Sequence, residues 1–165
     1  MSTGSWRRQL RWMYRGGRPN RLARVLNGLA ARQHSAGLGP RHWVTLEVRG
    51  RRSGRTVALP LVVADHEGER YLVSMLGDRV NWVANVRAAD GRAVLRHRGR
   101  EAVRLVEVDV ADRPPILRRH LALAPGARPH VPVDRHAPLT EFARVAPTIP
   151  VFRIVADRPA PETAE

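Results

Sequence analysis

Apolar and polar residues alternate strictly through Val44-Thr45-Leu46-Glu47-Val48-Arg49, the period of a half-buried strand. Val57 to Ala64 is almost continuously apolar, which predicts a strand buried on both sides. Pro60 inside it has no N–H to give and calls for a bulge or a locally unpaired edge. Tyr71 to Leu76 reads as a third strand, set off by the turn residues His66-Glu67-Gly68-Glu69. A helix is expected from Gly77-Asp78 to about Ala89, closed by Asp90-Gly91. Arg92 to Arg98 and Glu101 to Val110 predict two strands around Gly99. In the second, apolar residues shift from odd (Val103, Leu105) to even positions (Val106, Val108, Val110), which requires a bulge or two partly buried faces.

Asp112 opens a further helix that tolerates Pro114 and Pro115 in its first turn and turns Ile116, Leu117, His120 and Leu121 inward. Residues 125–138 carry four prolines and predict an irregular loop, of a length often used as a lid or pocket wall. Leu139 to Val145 predicts a short helix and Ile149 to Val155 a last strand. Upstream, Leu22, Val25, Leu26 and Leu29 recur at helical spacing after Asn20. The organisation expected is a basic segment with a helix over 1–36, a β-barrel domain over 37–156 and a loose tail over 157–165. About six antiparallel strands joined mainly by hairpins, with flanking helices, define the fold class: mainly β with α, a barrel.

Charge changes this picture most. The 165 residues hold 29 basic and 15 acidic side chains, a formal charge of +14, and every basic one is arginine. Guanidinium forks match phosphate and carboxylate oxygens, so the partner expected is anionic: a phosphorylated cofactor, a nucleic acid or an acidic membrane surface. Cysteine is absent, which excludes disulfides, thiolate metal sites and a cysteine nucleophile. No apolar run is long enough to cross a bilayer, and arginines interrupt the N-terminus where a secretory segment would be apolar, so the chain is read as cytoplasmic. Trp6 to Arg15 mixes aromatic residues with arginine, in the manner of helices that lie on anionic membranes; a segment packed on the barrel or without fixed structure is the alternative.

Two constellations carry candidate chemistry. Arg49-Gly50-Arg51-Arg52-Ser53-Gly54-Arg55 joins two strands and concentrates four guanidinium groups, a hydroxyl and two glycines around one turn, a composition that suits a phosphate; the alternative is a solvated basic hairpin. In Gly77 to Asn85, Trp82 and Asn85 share a helical face behind a helix start, which suits a flat heteroaromatic ligand; the alternative places Trp82 in the core and makes Asn85 the cap of a neighbouring loop. His130, Asp134 and His136 lie together in the proline-rich loop without a rigid element to fix metal geometry, and no metal site is assigned.

Gly50-Arg51-Arg52-Ser53-Gly54, Pro60-Leu61 six residues later, the strand over 71–76 and the W-x-x-N of Trp82 and Asn85 follow one another in an order that resembles the deazaflavin-dependent nitroreductase family of F420-binding oxidoreductases, common in actinobacteria. The similarity runs from about Gly37 to Val155. It implies a split β-barrel, coenzyme F420 as cofactor and hydride transfer between the deazaflavin and an electron-poor small organic molecule such as an enone, quinone or nitro compound. It further implies that Arg51, Arg52 and Ser53 contact the cofactor's phosphate and acidic tail. Leu59, Pro60 and Leu61 would line its ring, and Ser74, Met75, Gly77, Asn81, Trp82 and Asn85 would close the site. Members often have a basic residue three positions before the proline; Val57 stands there and Arg55 is the nearest substitute. Tyrosines late in the chain, used by members that reduce bulky nitro compounds, are missing after Tyr71. No catalytic residue is assigned: Ser74, Tyr71 and water are all open as proton source. Related split barrels are frequently dimers, so a homodimer is expected. The competing reading is a basic nucleic-acid-binding β-barrel without enzymatic activity; its weakness is an aromatic content of 5% with no regular stacking platform on any strand.

Overall fold

Six strands, Trp43–Arg49 (β1), Thr56–His66 (β2), Glu69–Val73 (β3), Arg92–Arg96 (β4), Arg100–Glu107 (β5) and Val151–Ala156 (β6), form a closed barrel in the order β1-β2-β3-β6-β5-β4. Every neighbouring pair is antiparallel. The structure is a computed structural model and describes residues 39–157. The helix expected after Asn20, the aromatic stretch Trp6–Arg15 and the tail beyond Asp157 lie outside these residues. No described helix is long and apolar enough to cross a membrane.

Alternation in β1 does what its period predicts. Val44, Leu46 and Val48 point into the barrel and meet Leu72, Leu95, Val103, Leu105, Phe152 and Ile154. Closure gives every strand two neighbours, although β2 reaches past β3 over residues 56–62. The helix Asn81–Ala88 (α1) plugs this interior with Trp82, Val83 and Val86. Outside the barrel, Ala64, Val73 and Val151 form a second apolar surface. It is covered by Ile116, Leu117 and Leu121 of the helix Arg113–Leu123 (α2) and by Phe142 of the helix Leu139–Val145 (α3). Full burial of each phenylalanine is worth about 3–5 kcal/mol against truncation to alanine.

Three expectations need correction. The apolar run of β2 is not buried on both sides: Thr56 to Ala58 are exposed, Leu59 to Val62 half-buried, and only Val63 and Ala64 fully covered. The reason is the register. Residues 56–62 pair with β1 alone, and β3 joins only at Val63↔Leu72. Pro60 therefore lies on an unpaired margin and needs no bulge, in a register that runs unbroken from Trp43↔Val62 to Arg49↔Thr56.

The helix expected from Gly77 begins only at Asn81. Residues 74–80 form a turn in which Ser74 Oγ donates to the Gly77 carbonyl (2.6 Å) and Gly77 N–H to that of Ser74 (2.9 Å). Gly77 is left-handed, φ 88°, which halts a helix at that point. In β5 the odd positions win: Val103 and Leu105 are buried, Val106 and Val110 exposed. The phase change is no bulge. The strand ends at Glu107, and Val110 belongs to a 3-10 turn, Val110–Asp112.

Candidate functional site

The β1–β2 hairpin carries the arginine turn. Gly50 N–H donates to the Arg55 carbonyl (2.8 Å) and Gly54 N–H to that of Gly50 (2.8 Å), while Ser53 Oγ accepts from Arg55 N–H (3.3 Å). The turn closes tightly: a Cβ on Gly50 would stand 2.9 Å from Ser53 Oγ and 3.1 Å from the Arg55 carbonyl. Gly54 adopts φ 67°. Arg51, Arg52, Ser53 and Arg55 are exposed, as is Val57 at the start of β2. Among the described residues no carboxylate pairs with Arg49, Arg51, Arg52 or Arg55.

The turn is docked on α1. Asn85, buried, uses one carboxamide oxygen to accept from the Arg51 backbone N–H (3.1 Å) and from Arg51 Nη1 (3.0 Å). Asn81 Oδ1 accepts from Arg51 Nη2 at 3.5 Å. The two constellations read from the sequence are thus brought into direct contact. Trp82 takes the other role open to it: its indole is inside the barrel, tilted 57° to Phe152 with ring centroids 5.6 Å apart. Trp82 anchors the helix that presents Asn85, and Asn85 caps the arginine turn.

Past β3, Met75, Leu76 and Gly77 line a cavity of about 340 Å³ with His130, Pro132, Thr148 and Ile149. Leu76 also packs against the barrel core, as do Leu59 and Leu61 of β2. A buried arginine fixes the opposite wall. Arg113 donates to the carbonyls of Val108 (2.8 Å), Ala146 (3.1 Å) and Ile149 (3.2 Å), and to Glu107 (3.3 Å). Glu107 is shared with Arg87, which also holds Asp78 at 2.7 Å. Two carboxylates keep the Arg87 guanidinium charged well beyond its ordinary range. This chain of ion pairs ties the 74–80 turn, α1, β5, α2 and the 146–149 segment together.

Ser74 is buried and its hydroxyl proton is committed to the Gly77 carbonyl, so it shapes the turn. Tyr71 lies elsewhere. It lines a separate cavity of about 490 Å³ that mixes the carboxylates of Glu67, Glu107, Asp109 and Asp112 with Arg153 and His66. Burial, with the charge of Glu69 next, pushes its phenol upward. His136 N–H caps Asp134 at 2.8 Å, and no group of three metal-ligating side chains converges among the described residues. Thr148 and Ile149 were not legible as site residues, because only the return of β6 beside β3 brings them to Gly77. The proline-rich loop, read as a pocket wall, does supply His130 and Pro132.

The model of the F420H2-dependent quinone reductase family matches residues 22–138, most of the chain. The chain belongs to this family. That family is one of quinone reductases that use F420H2. No curated protein matches the chain. Among solved structures it is similar to a protein of unknown function from Agrobacterium tumefaciens, at 13% identity and TM-score 0.55, covering 79% of this chain and 55% of the other. It is also similar to a putative 5-nitroimidazole antibiotic resistance protein from Bacteroides thetaiotaomicron, at 8% identity and TM-score 0.51, covering 77% and 80%. Both likenesses concern the fold, and the chain spans little more than half the length of the first. The chemistry of the turn fits a cofactor that carries a phosphodiester and carboxylates: four arginines without carboxylate partners among the described residues, a hydroxyl and a glycine-tight turn are a donor set for anionic oxygens.

Proposed function

We propose that the protein binds F420H2 with its acidic tail on the 49–55 turn and its ring along Leu59–Leu61 and the 74–77 turn, and reduces a small, flat, electron-poor acceptor. The observation that carries this reading is the docking of Arg51 on Asn85, which holds an unpaired arginine cluster next to the turn that leads into the 340 Å³ cavity.

Bound F420H2 supplies the hydride; the chain binds, orients and excludes. Arg52 and Arg55 are free to meet anionic oxygens, and the net positive charge speeds capture at low ionic strength. Arg51 is held by the asparagines through Nη1 and Nη2 and adds its charge to the turn. Half-buried Leu59, Pro60 and Leu61 offer an apolar bed with a stiff backbone. Gly77 leaves open the space a side chain would take: a Cβ there would press on the Thr148 carbonyl at 3.3 Å. The modest cavity and the lack of tyrosines after Tyr71 favour quinones and conjugated enones over bulky nitro compounds. The nucleic-acid alternative loses support: among the described residues Trp82, Phe142 and Phe152 are buried, and the exposed Trp43 is not a row of stacking aromatics.

Titration with F420, with FMN and haem alongside, tests the reading. Saturable binding of F420 at micromolar concentration or below is expected. Absence of F420 binding in that range, or preference for FMN or haem, would overturn it.

A further inference from the structure

We infer that Arg87 is a positioning residue for the reaction: through Asp78 it fixes the 74–80 turn, and with the turn the place of the cofactor ring. The inference deepens the F420H2-dependent reading above and rests on it.

That reading divides the cofactor site in two. The acidic tail is assigned to the 49–55 turn, which is docked on α1 through Arg51 and Asn85. The ring is assigned to the 74–77 turn, which closely approaches the 146–149 segment: a Cβ on Gly77 would stand 3.3 Å from the Thr148 carbonyl. Hydride transfer needs the two halves in a fixed relation, because a displacement of about 1 Å can cost about a hundredfold in rate.

Few bonds hold the second half. Ser74 N–H donates to the Pro150 carbonyl (2.9 Å), and Gly77 N–H and the Ser74 hydroxyl close the turn on itself. Beyond Gly77 the support changes. Val80 packs in the core, but as N-cap of α1 it offers no side-chain cap, and the first turn of α1 has no acid. Among residues 78–80, the one side-chain hydrogen bond is that of Asp78 to Arg87, at 2.7 Å.

Arg87 stands in the last turn of α1, the helix that carries Asn81 and Asn85. Side chains on a helix lean toward its N-terminus, which brings the guanidinium back toward Asp78. Its planar fork is divided between two acids. Nε and Nη2 meet the two Glu107 oxygens at 3.1 and 2.8 Å, which leaves Nη1 for Asp78. Glu107 also accepts from Arg113 Nη2 (3.3 Å), and Arg113 Nη1 holds the Ala146 and Ile149 carbonyls. The 74–77 turn and the 146–149 segment are thus referred to one carboxylate, and Arg87 is the link on the side of the turn. Arg87 lines neither cavity, so it acts through Asp78.

The experiment uses the full chain and compares wild type, D78A, D78N and R87K. E101Q, which breaks the exposed Arg70–Glu101 pair between β3 and β5, is the control. Urea unfolding gives the stability of each. Amide exchange of the cofactor-free protein follows Gly77 N–H. F420 affinity is measured by fluorescence, and kcat and KM with menadione as acceptor. In D78A the Gly77 amide is expected to exchange about tenfold faster at an unchanged urea midpoint. F420 affinity is expected to stay within about threefold, because the tail keeps its arginines and an exposed pair adds little. The kcat is expected to fall about tenfold, with a smaller change in KM. D78N keeps an acceptor for Nη1 and is expected to recover most of both losses. R87K keeps the charge without the fork and is expected to resemble D78A. E101Q is expected to match wild type.

A D78A protein with wild-type kcat would overturn the role in the reaction. A kcat that falls only together with the urea midpoint, or falls equally in E101Q, would reduce Arg87 to a general stabiliser and overturn it too. If wild type fails to bind F420, the F420H2-dependent reading fails and takes the role in the reaction with it. Gly77 exchange, measured without cofactor, still reports whether Asp78 holds the turn, so the two failures are told apart.

Discussion

Two groups of arginines on the same barrel have opposite surroundings. In the 49–55 turn the guanidinium groups face solvent and no described carboxylate. In the Asp78–Arg87–Glu107–Arg113 chain they are saturated by acids and carbonyls, and Arg113 is almost wholly buried. Residue type and overall charge do not separate the groups. The difference lies in whether the fold supplies a carboxylate: where it does, arginine is a rivet between elements, and where it supplies none among the described residues, the charge stays exposed to solvent.

Breaking the paired group has the largest effect. Arg113→Ala takes the buried donor from the carbonyls of Val108, Ala146 and Ile149 and leaves Glu107 with Arg87 alone. Loss of one partner of such a network costs about 3–5 kcal/mol. Urea unfolding of the variant is expected to show that loss, and a change below about 1 kcal/mol would mean the network is not the rivet described.

Next comes a buried group without a hydrogen-bond partner among the described residues. His120 on α2 is buried, and neither ring nitrogen has a hydrogen-bond partner among the described residues. Burial lowers its pKa to about 4 from the usual 6.5. Between those values the unfolded chain binds the proton first, so the stability contributed by neutral His120 is complete above pH 6.5 and lost as pH falls toward 4. The loss amounts to about 3 kcal/mol at the lower end. Unfolding free energies measured from pH 7 to 4 are expected to fall along that course, and His120→Leu, which keeps the helix face apolar, to flatten it. An equal slope in both proteins would count against the assignment.

Breaking the unpaired group is expected to leave stability alone and to weaken binding. Arg52→Ser with Arg55→Ser is expected to change unfolding free energy by less than about 0.5 kcal/mol. The same pair of changes is expected to weaken F420 binding by about tenfold to a hundredfold for each guanidinium removed from the tail, since hydrogen bonds to charged groups are worth about 1.5–3 kcal/mol. Affinity in wild type should fall with added salt, and the variant should lose most of that dependence. A double variant that binds like wild type would remove the tail site from this turn.

The sequence carries unequal information about these groups. The turn was legible because glycine, serine and arginine at that density have a local meaning: a tight hairpin that exposes charge. Strand β1 was legible because alternation is local too. The fold class followed from counting such strands. The arginine chain was not legible, because Arg87, Glu107 and Arg113 are far apart along the chain and meet only when α1, β5 and α2 are assembled. For the same reason the burial of β2 was misjudged: whether an apolar run has a neighbour on both sides depends on where β3 joins. Trp82 shows the limit of spacing arguments. Three residues from Asn85, it shares the helix with it, yet one side chain enters the core and the other holds a loop.

Arg51 belongs to both groups, and its two asparagine contacts provide the finest test of the comparison. Asn85 is buried and receives the backbone N–H at 3.1 Å as well as Nη1 at 3.0 Å. Asn81 is exposed and receives Nη2 at 3.5 Å, the limit of a useful hydrogen bond. Asn85→Ala leaves the Arg51 N–H without its acceptor and releases the turn. It is expected to lower stability by about 1–2 kcal/mol and F420 affinity several-fold, although every arginine remains. Asn81→Ala removes a hydrogen bond that water replaces, and both quantities are expected to stay within about 0.5 kcal/mol of wild type. If the two variants behaved alike, the position of the turn would not depend on the buried carboxamide, and the arginines would be held ready by the hairpin alone.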